Sequence, residues 1–325
     1  VADAHSPDPF AEINGIDVRE GSTIAGFVVE AIERDHVRLL AALADYAIAR
    51  HDPAAAEAEQ PYLALFEGVV GRQSRLVAHW LSLGFIHGVM NTDNMSIAGL
   101  TIDYGPYAFL DDYDFGYICN HTDSHGRYAF GQQPNVAQWN LSMLMRALSP
   151  LVDIERMQEA LEKFGEIYSG YYMGFMRKKL GLESEEDDDI SVLRWLFSIM
   201  QQESIDYNYF FRVLSRYDGD KTALLALCER QEPLSEWLDH YDRRLEKENS
   251  AAEERHKQML ATNPKYVLKN YMLQYAIDKA KRGDFSGVEE LLTLARAPFD
   301  EHEAFESFAK PSPKSVKNLK LSCSS

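Results

Sequence analysis

The feature that most limits how this 325-residue chain can fold is a change in its hydrophobic period. From Ile24 to about Arg50, apolar residues recur at three and four positions (Val28, Ile32, Leu39, Leu40, Leu43, Ile48), which is the stripe of an amphipathic helix. A second helix is expected from about Pro61 to Leu83, because proline tolerates the first helical position and Gly84 stands at the stop. Between Gly84 and Pro134 the pattern breaks into short apolar pieces, Met95 to Ile97, Leu100 to Ile102 and Tyr107 to Leu110, separated by Gly, Asp and Asn. These read as short strands and loops. After Pro134 the helical period returns, over Val136 to Leu148, Ile154 to Leu180, Ile190 to Gln202, Tyr207 to Arg216, Leu234 to Leu260, Pro264 to Arg282 and Val288 to Ala295. The prediction is an α+β, mostly α chain whose least helical part lies between helical segments.

This divides the chain into an extended lead-in (1–22), a core (23–150), a helical C-terminal body (151–309) and a flexible tail (310–325). A hydrophobic content of 46% is enough for a sizeable core, built as one large domain or two closely packed ones. The formal charge of -18 argues against DNA or RNA as a partner, since nucleic-acid affinity comes largely from Lys and Arg displacing counterions. No run reaches the roughly 18 apolar residues of a membrane helix, and Val1 to Phe10 lacks a signal-peptide pattern, so no membrane partner is expected. A soluble chain, cytoplasmic in a bacterium or mitochondrial in a eukaryote, is the expectation. The front residue is Val1 rather than Met, as it would be if residues had been lost there. Glu183 to Asp189 holds six acidic residues in seven positions and reads as a solvated loop.

The loop-rich stretch holds the chemistry. His87-Gly88-Val89-Met90-Asn91-Thr92-Asp93-Asn94 is followed by Thr101-Ile102-Asp103-Tyr104-Gly105. Kinase-like phosphotransferases place an Asp two residues after a His, a metal-binding Asn five residues later, and an Asp-x-Gly beyond a short hairpin. Counted from His87, Asn94 and Asp103 fall on the two metal positions, while the base position holds Val89. Valine accepts no proton, so a strict reading is a pseudokinase, and Asp93 supplies the nearest carboxylate as general base. Mg²⁺ prefers few hard oxygen ligands together with nucleotide phosphate oxygens, which Asn94 and Asp103 would provide. The competing reading is that these Asn and Asp residues only build turns. Asp114-Phe115-Gly116 also spells a metal motif, but it lies further along the loop, so Asp103 is taken as the ligand and Asp114 as a structural neighbour. Asp111 and Asp112 read as turn or capping residues.

His87 to Ile97, Leu100 to Pro106, Phe109 to Tyr113, Asn135 to Leu141, Asn263 to Asn270 and the Cys-Ser-Ser terminus together resemble the selenoprotein O family, also called the YdiU family. The similarity covers most of residues 60–325, and HGVMNTDN is a long, specific run. The resemblance implies a protein-kinase-like (pseudokinase) lobe with a small β hairpin at the active site. It also implies transfer of AMP from ATP to Ser, Thr or Tyr hydroxyls of protein substrates. Asp93 would be the proton acceptor, Asn94 and Asp103 the ligands of Mg²⁺ (or Mn²⁺), and Asp103 would also approach the nucleotide. The family's N-terminal lobe, with its glycine-rich region, phosphate-binding Lys and arginine pair, has no counterpart in Val1 to Gln60. Two alternatives therefore stay open: a kinase-type phosphotransferase, and a non-catalytic, redox-responsive nucleotide binder.

Cys119, Cys228 and Cys323 are too few for a disulfide framework. Family members carry Cys or selenocysteine near the C-terminus, so the resemblance suggests a reversible redox pair between Cys119 and Cys323. Cys228 and Trp80, Trp139, Trp195 and Trp237 read as core. His121 and His125 flank Asp123 and are expected to take surface or loop-bracing roles, with metal binding the lesser option. His87 is expected to brace the loop that carries Asp93. Arg72 and Arg75 could touch phosphates, but surface or ion-pair roles are favoured.

Overall fold

The computed structural model describes residues 12–13, 16–17, 37–317 and 319–320. Most of the extended lead-in, the part of the expected Ile24 to Arg50 helix before residue 37, and Cys323 lie outside the described residues. The chain divides into two compact units, one comprising Val1–His79, Val89–Tyr104 and Gln132–Tyr171, the other Trp80–Gly88, Gly105–Gly131 and Tyr172–Ser325.

In the first unit, β1 (Glu12–Ile13) pairs antiparallel with β2 (Ile16–Asp17). Helix α1 (Val37–His51) buries Leu40, Leu43, Ala44, Ala47 and Ile48, the three-and-four spacing read from the sequence. A short 3-10 turn, Pro53–Glu57, packs back on it. Helix α2 (Pro61–Leu83) begins at the expected proline and buries Leu65, Phe66, Val69, Val70, Val77 and Ala78. Each such Leu, Val or Phe contributes about 1.5–3 kcal/mol relative to an exposed side chain. Helix α3 (Gln133–Leu148) carries Pro134 at its start, where a missing amide costs nothing, and packs against α4 (Ile154–Glu162). Asp153 caps α4 by accepting from the Glu155 amide at 3.0 Å. Trp139, expected in the core, is 43% exposed: it lies on the polar side of α3, opposite the stripe of Val136, Ala137, Leu141 and Leu144.

In the second unit, β3 (Phe85–Ile86) pairs antiparallel with β4 (Ala108–Phe109), in register Phe85 to Phe109 and Ile86 to Ala108. Around this pair Trp80, Phe85, Tyr107 and Phe109 form an aromatic cluster, with ring centroids 5.4–5.7 Å apart between Phe85 and the other three. The remaining helices are α5 (Phe164–Lys179), whose first half counts with the first unit, α6 (Asp189–Glu203), α7 (Tyr207–Leu214), α8 (Thr222–Leu225), α9 (Gln231–Leu245), α10 (Ala252–Thr262), α11 (Asn270–Ala280) and α12 (Ser286–Arg296). Helix α9 packs on α6 through a core containing Trp237, whose indole donates to the Val192 carbonyl at 3.0 Å. Helices α11 and α12 pack together around Met272, Ala276, Leu291 and Leu294.

Three expected helices are shorter than their periodicity. Ile154 to Leu180 breaks at Lys163, whose amide turns back to the Leu161 carbonyl. Leu234 to Leu260 is interrupted between Leu245 and Ala252. Pro264 to Arg282 is helical only from Asn270. Pro264 disfavours helical backbone at Asn263, and the Lys265 and Tyr266 amides both donate to the Pro298 carbonyl, at 2.8 and 3.0 Å, instead of starting a helix. The acidic loop before α6 is not uniformly solvated either. The buried Arg244 guanidinium binds Asp189 at 2.7 Å and Glu248 at 2.6 Å, and Glu248 in turn accepts from the Ser184 hydroxyl at 2.7 Å.

Candidate active site

Asp93, Asn94 and Asp103 all belong to the first unit. A 3-10 turn, Thr92–Asn94, forms where the Asn94 amide donates to the Asn91 carbonyl at 3.0 Å, and it leaves the Asp93 carboxylate exposed. Asn94 is only 9% exposed, and its side-chain amide nitrogen donates to the Val89 carbonyl at 2.9 Å. That bond fixes the carboxamide and leaves its oxygen as the acceptor still to be used. Val89 thus takes part through its backbone, orienting the Asn94 carboxamide.

Beyond Asn94 the chain makes a tight hairpin. Met95 bridges antiparallel to Thr101, Met95 and Ile97 are buried, and the Gly99 amide donates to the Ser96 carbonyl at 3.0 Å. Gly99 has φ +69, and a Cβ there would lie 2.8 Å from the Cβ of Arg72, so only glycine fits this turn. Asp103 follows the bridge by two residues, is exposed, and adopts a left-handed φ of 51. Asp tolerates this region better than most residues, yet it still costs about 1–2 kcal/mol. Strain of that size persists where the surroundings impose it, as they do around functional sites. The bridge places Asn94 and Asp103 at the two open ends of one hairpin.

An amide oxygen and a carboxylate oxygen are hard donors and suit Mg²⁺ or Mn²⁺, which takes few protein ligands when phosphate oxygens complete its shell. Among the described residues no group of three or more His, Cys, Asp or Glu side chains gathers to hold a metal. His121 and His125 are exposed, and the Asp123 carboxylate accepts from the Arg127 and Tyr128 amides at 2.9 and 2.8 Å, bracing the loop. Arg72 pairs with Asp52 at 2.7 Å, an ion-pair role of the kind the sequence favoured.

The second unit holds the other sequence candidates. His87 is 1% exposed and tilts against Trp80 at 5.4 Å, so it serves the packing under its loop. Asp114 accepts from the Gly116 amide at 2.9 Å and from Gln201 at 3.3 Å, which makes it a turn former. Asp111 and Asp112, expected as turn residues, do more. Asp112 forms an ion pair with Lys317 at 2.7 Å. Asp111 accepts from the Ser312 hydroxyl and lies 4.0 Å from the Lys269 ammonium. Lys269 also pairs with Asp206, the buried N-cap of α7, and Asn270 donates to the Leu319 carbonyl at 2.7 Å. The motif Asn263 to Asn270, to which the sequence assigned no role, thus holds Leu319 through Asn270, while Asp111 and Asp112 hold Ser312 and Lys317.

Cys119 is fully buried with a free thiol, seated so close to the loop backbone that a Cβ on Gly88 would lie 2.6 Å from its sulfur. Burial pushes the thiol up to about 12, with the Lys320 charge pulling slightly the other way. Cys228, expected in the core, is a half-buried free thiol bonded to the Leu225 carbonyl.

A family model described as "Protein adenylyltransferase SelO" matches residues 28–296. The chain belongs to the SelO family. Among curated relatives, it is similar to the protein nucleotidyltransferase YdiU of Aliivibrio salmonicida, 47% identical over 284 residues that cover 87% of this chain and 59% of that protein. It is similar to the YdiU of Vibrio parahaemolyticus, 47% identical over 290 residues, and to that of Pseudomonas putida, 44% identical over 289 residues, with the same two coverages. The chain thus spans 59% of the length of these SelO-family relatives.

Proposed function

We propose that this chain carries the metal- and nucleotide-binding part of a protein adenylyltransferase, one that moves AMP from ATP onto Ser, Thr or Tyr hydroxyls of other proteins from a protein-kinase-like lobe. The observation that carries this reading is the Asn94 carboxamide, fixed through Val89 with its oxygen unspent, at one end of a hairpin whose other end is the exposed, left-handed Asp103. The adenylyltransferase and nucleotidyltransferase names of the family and its relatives support the choice of reaction.

In this reading Asn94 and Asp103 hold Mg²⁺ or Mn²⁺, and Asp103 also approaches the nucleotide. The cation would offset charge on the phosphate oxygens. Asp93 takes the proton from the attacking hydroxyl, whose oxygen bonds to the α-phosphorus as the bond to the bridging oxygen breaks and pyrophosphate leaves. A phosphotransferase would want a carboxylate where Val89 stands, and the Val89 side chain has no group that accepts a proton. Positive charge opposite the developing phosphate charge would come from the part of the relatives that this chain does not span.

The tail fits a redox role within the same reading. Lys320 lies within electrostatic reach of Cys119, which favours a Cys119–Cys323 pair. Burial keeps the Cys119 thiol protonated, so closing the pair would need an external oxidant, such as a small disulfide, that takes up two electrons and two protons as the S–S bond forms. Peptide mapping that found both thiols free under oxidising conditions would remove this element.

The test of the reaction incubates the chain and its Asp103→Ala variant with Mg²⁺, an acceptor protein and ATP labelled at the α or the γ phosphorus. Incorporation of α label, lost in the variant, is expected. Label from the γ position alone would make the chain a kinase, and no label from either position would contradict autonomous transfer.

A further inference from the structure

The hairpin between Asn94 and Asp103 does not hold itself. Its turn offers two backbone carbonyls to α2, and consecutive residues of that helix take them: Gln73 donates to the Ser96 carbonyl at 2.5 Å and Arg72, through Nε, to the Ile97 carbonyl at 2.9 Å. Gln73 is fully buried, and the Arg72 guanidinium is steadied at its other end by Asp52 at 2.7 Å. Gly99 brings the turn against Arg72 itself. The Ser96 carbonyl also accepts the Gly99 amide, so the same oxygen closes the turn and docks it.

Both side chains keep an unspent polar atom in the interior, Oε1 of Gln73 and Nη2 of Arg72. A buried polar group without a partner costs roughly 1–3 kcal/mol, which an apolar residue on α2 would avoid. Fold stability alone therefore gives a poor account of this pair. Holding two carbonyls of one turn accounts for it better, because that turn sets how far apart the two ends of the hairpin stand.

We propose that Arg72 and Gln73 are positioning residues for the divalent cation: by gripping the turn they fix the separation of Asn94 and Asp103, and with it metal affinity. The inference rests on the reading of Asn94 and Asp103 as the metal pair. Outer groups that orient ligands typically account for 10–100-fold in metal affinity, so roughly 10-fold is expected from loosening either grip.

The experiment titrates the full chain with Mn²⁺ in the presence of a non-hydrolysable ATP analogue and follows the electron paramagnetic resonance of free and bound Mn²⁺, with thermal melting alongside. The variants are Gln73→Leu, Arg72→Lys and Asp103→Asn. Arg72→Lys keeps the charge facing Asp52 but loses the planar fork. The expected result is loss of bound signal in Asp103→Asn, with roughly 10-fold weaker Mn²⁺ binding and a broadened bound spectrum in Gln73→Leu and Arg72→Lys. If Asp103→Asn loses Mn²⁺ while folded Gln73→Leu or Arg72→Lys binds like the parent, the positioning role is overturned and the metal pair stands. Should Gln73→Leu fail to fold, Arg72→Lys decides by itself. Parent chain that binds no Mn²⁺, or Asp103→Asn that binds it unchanged, overturns the metal pair and this inference with it.

Discussion

Two groups of aspartates meet opposite fates. Asp93 and Asp103, on the hairpin of the first unit, are exposed, and among the described residues no cationic side chain pairs with them. Asp111 and Asp206, in the second unit, are buried and share Lys269, while the adjoining Asp112 takes Lys317. The first pair is held by backbone: a 3-10 turn, a bridge and two carbonyls gripped by α2. The second is held by charge. A carboxylate that neutralises a buried lysine is spent on the fold, whereas one fixed through its backbone keeps its charge for a ligand.

The buried aspartates depend most on Lys269. Lys269→Met leaves Asp206 and Asp111 buried without their cation, which should cost about 3–5 kcal/mol by denaturant titration. Burial raises the Asp206 carboxyl above its ordinary value, and Lys269 pulls it back. Without Lys269 it rises further, so the folded state binds more protons than the unfolded one above pH 3.8, and lowering the pH towards that value should relieve the deficit. A loss that stayed the same across that range would mean the aspartates are not the cause.

Lys179 is the opposite case, a buried cation beside aromatic rings. It is fully buried, its ammonium has no hydrogen-bond partner among the described residues, and it rests 4.4 Å over the Phe211 ring. Burial lowers it to about 7 from 10.5. Here the folded state binds fewer protons than the unfolded one between those values, so the burial cost is complete below pH 7 and fades as the pH rises towards 10.5. Lys179→Met should stabilise the chain by roughly 1–4 kcal/mol at neutral pH and below, with the gain shrinking at alkaline pH. A destabilised variant would show that the cation–π contact outweighs desolvation. The smallest effect is expected at Lys317, whose ion pair with Asp112 is partly open to water. Lys317→Ala should cost about 0.5–1 kcal/mol, most of it lost in high salt.

Much of this was legible in the sequence, for stated reasons. The three-and-four spacing of Leu39, Leu40, Leu43 and Ile48 gave α1, Pro61 and Gly84 marked the ends of α2, and the spacing from His87 selected Asn94 and Asp103 as candidates. What stayed hidden depended on partners far along the chain. Gln73 and Asn140 look like ordinary polar helix residues. Their amides reach the Ser96 carbonyl at 2.5 Å and the Met90 carbonyl at 3.0 Å, supporting the site loop from two helices. Lys269 and Asp206 are separated by 63 positions, and no local pattern announces their pairing. Trp139 shows the converse, a large apolar residue whose helix turns it outward.

In the proposed function one hairpin divides the labour, with Asp103 holding the metal and nucleotide and Asp93 handling the proton. The most direct test of this division measures ATP binding by equilibrium dialysis, with and without Mg²⁺, beside α-label transfer, in Asp93→Asn and Asp103→Asn chains. The account predicts that Asp93→Asn binds Mg²⁺-ATP like the parent while transfer falls by roughly 100-fold or more, and that Asp103→Asn loses the Mg²⁺-dependent part of binding. Equal loss of binding in both variants, or full transfer by Asp93→Asn, would contradict it.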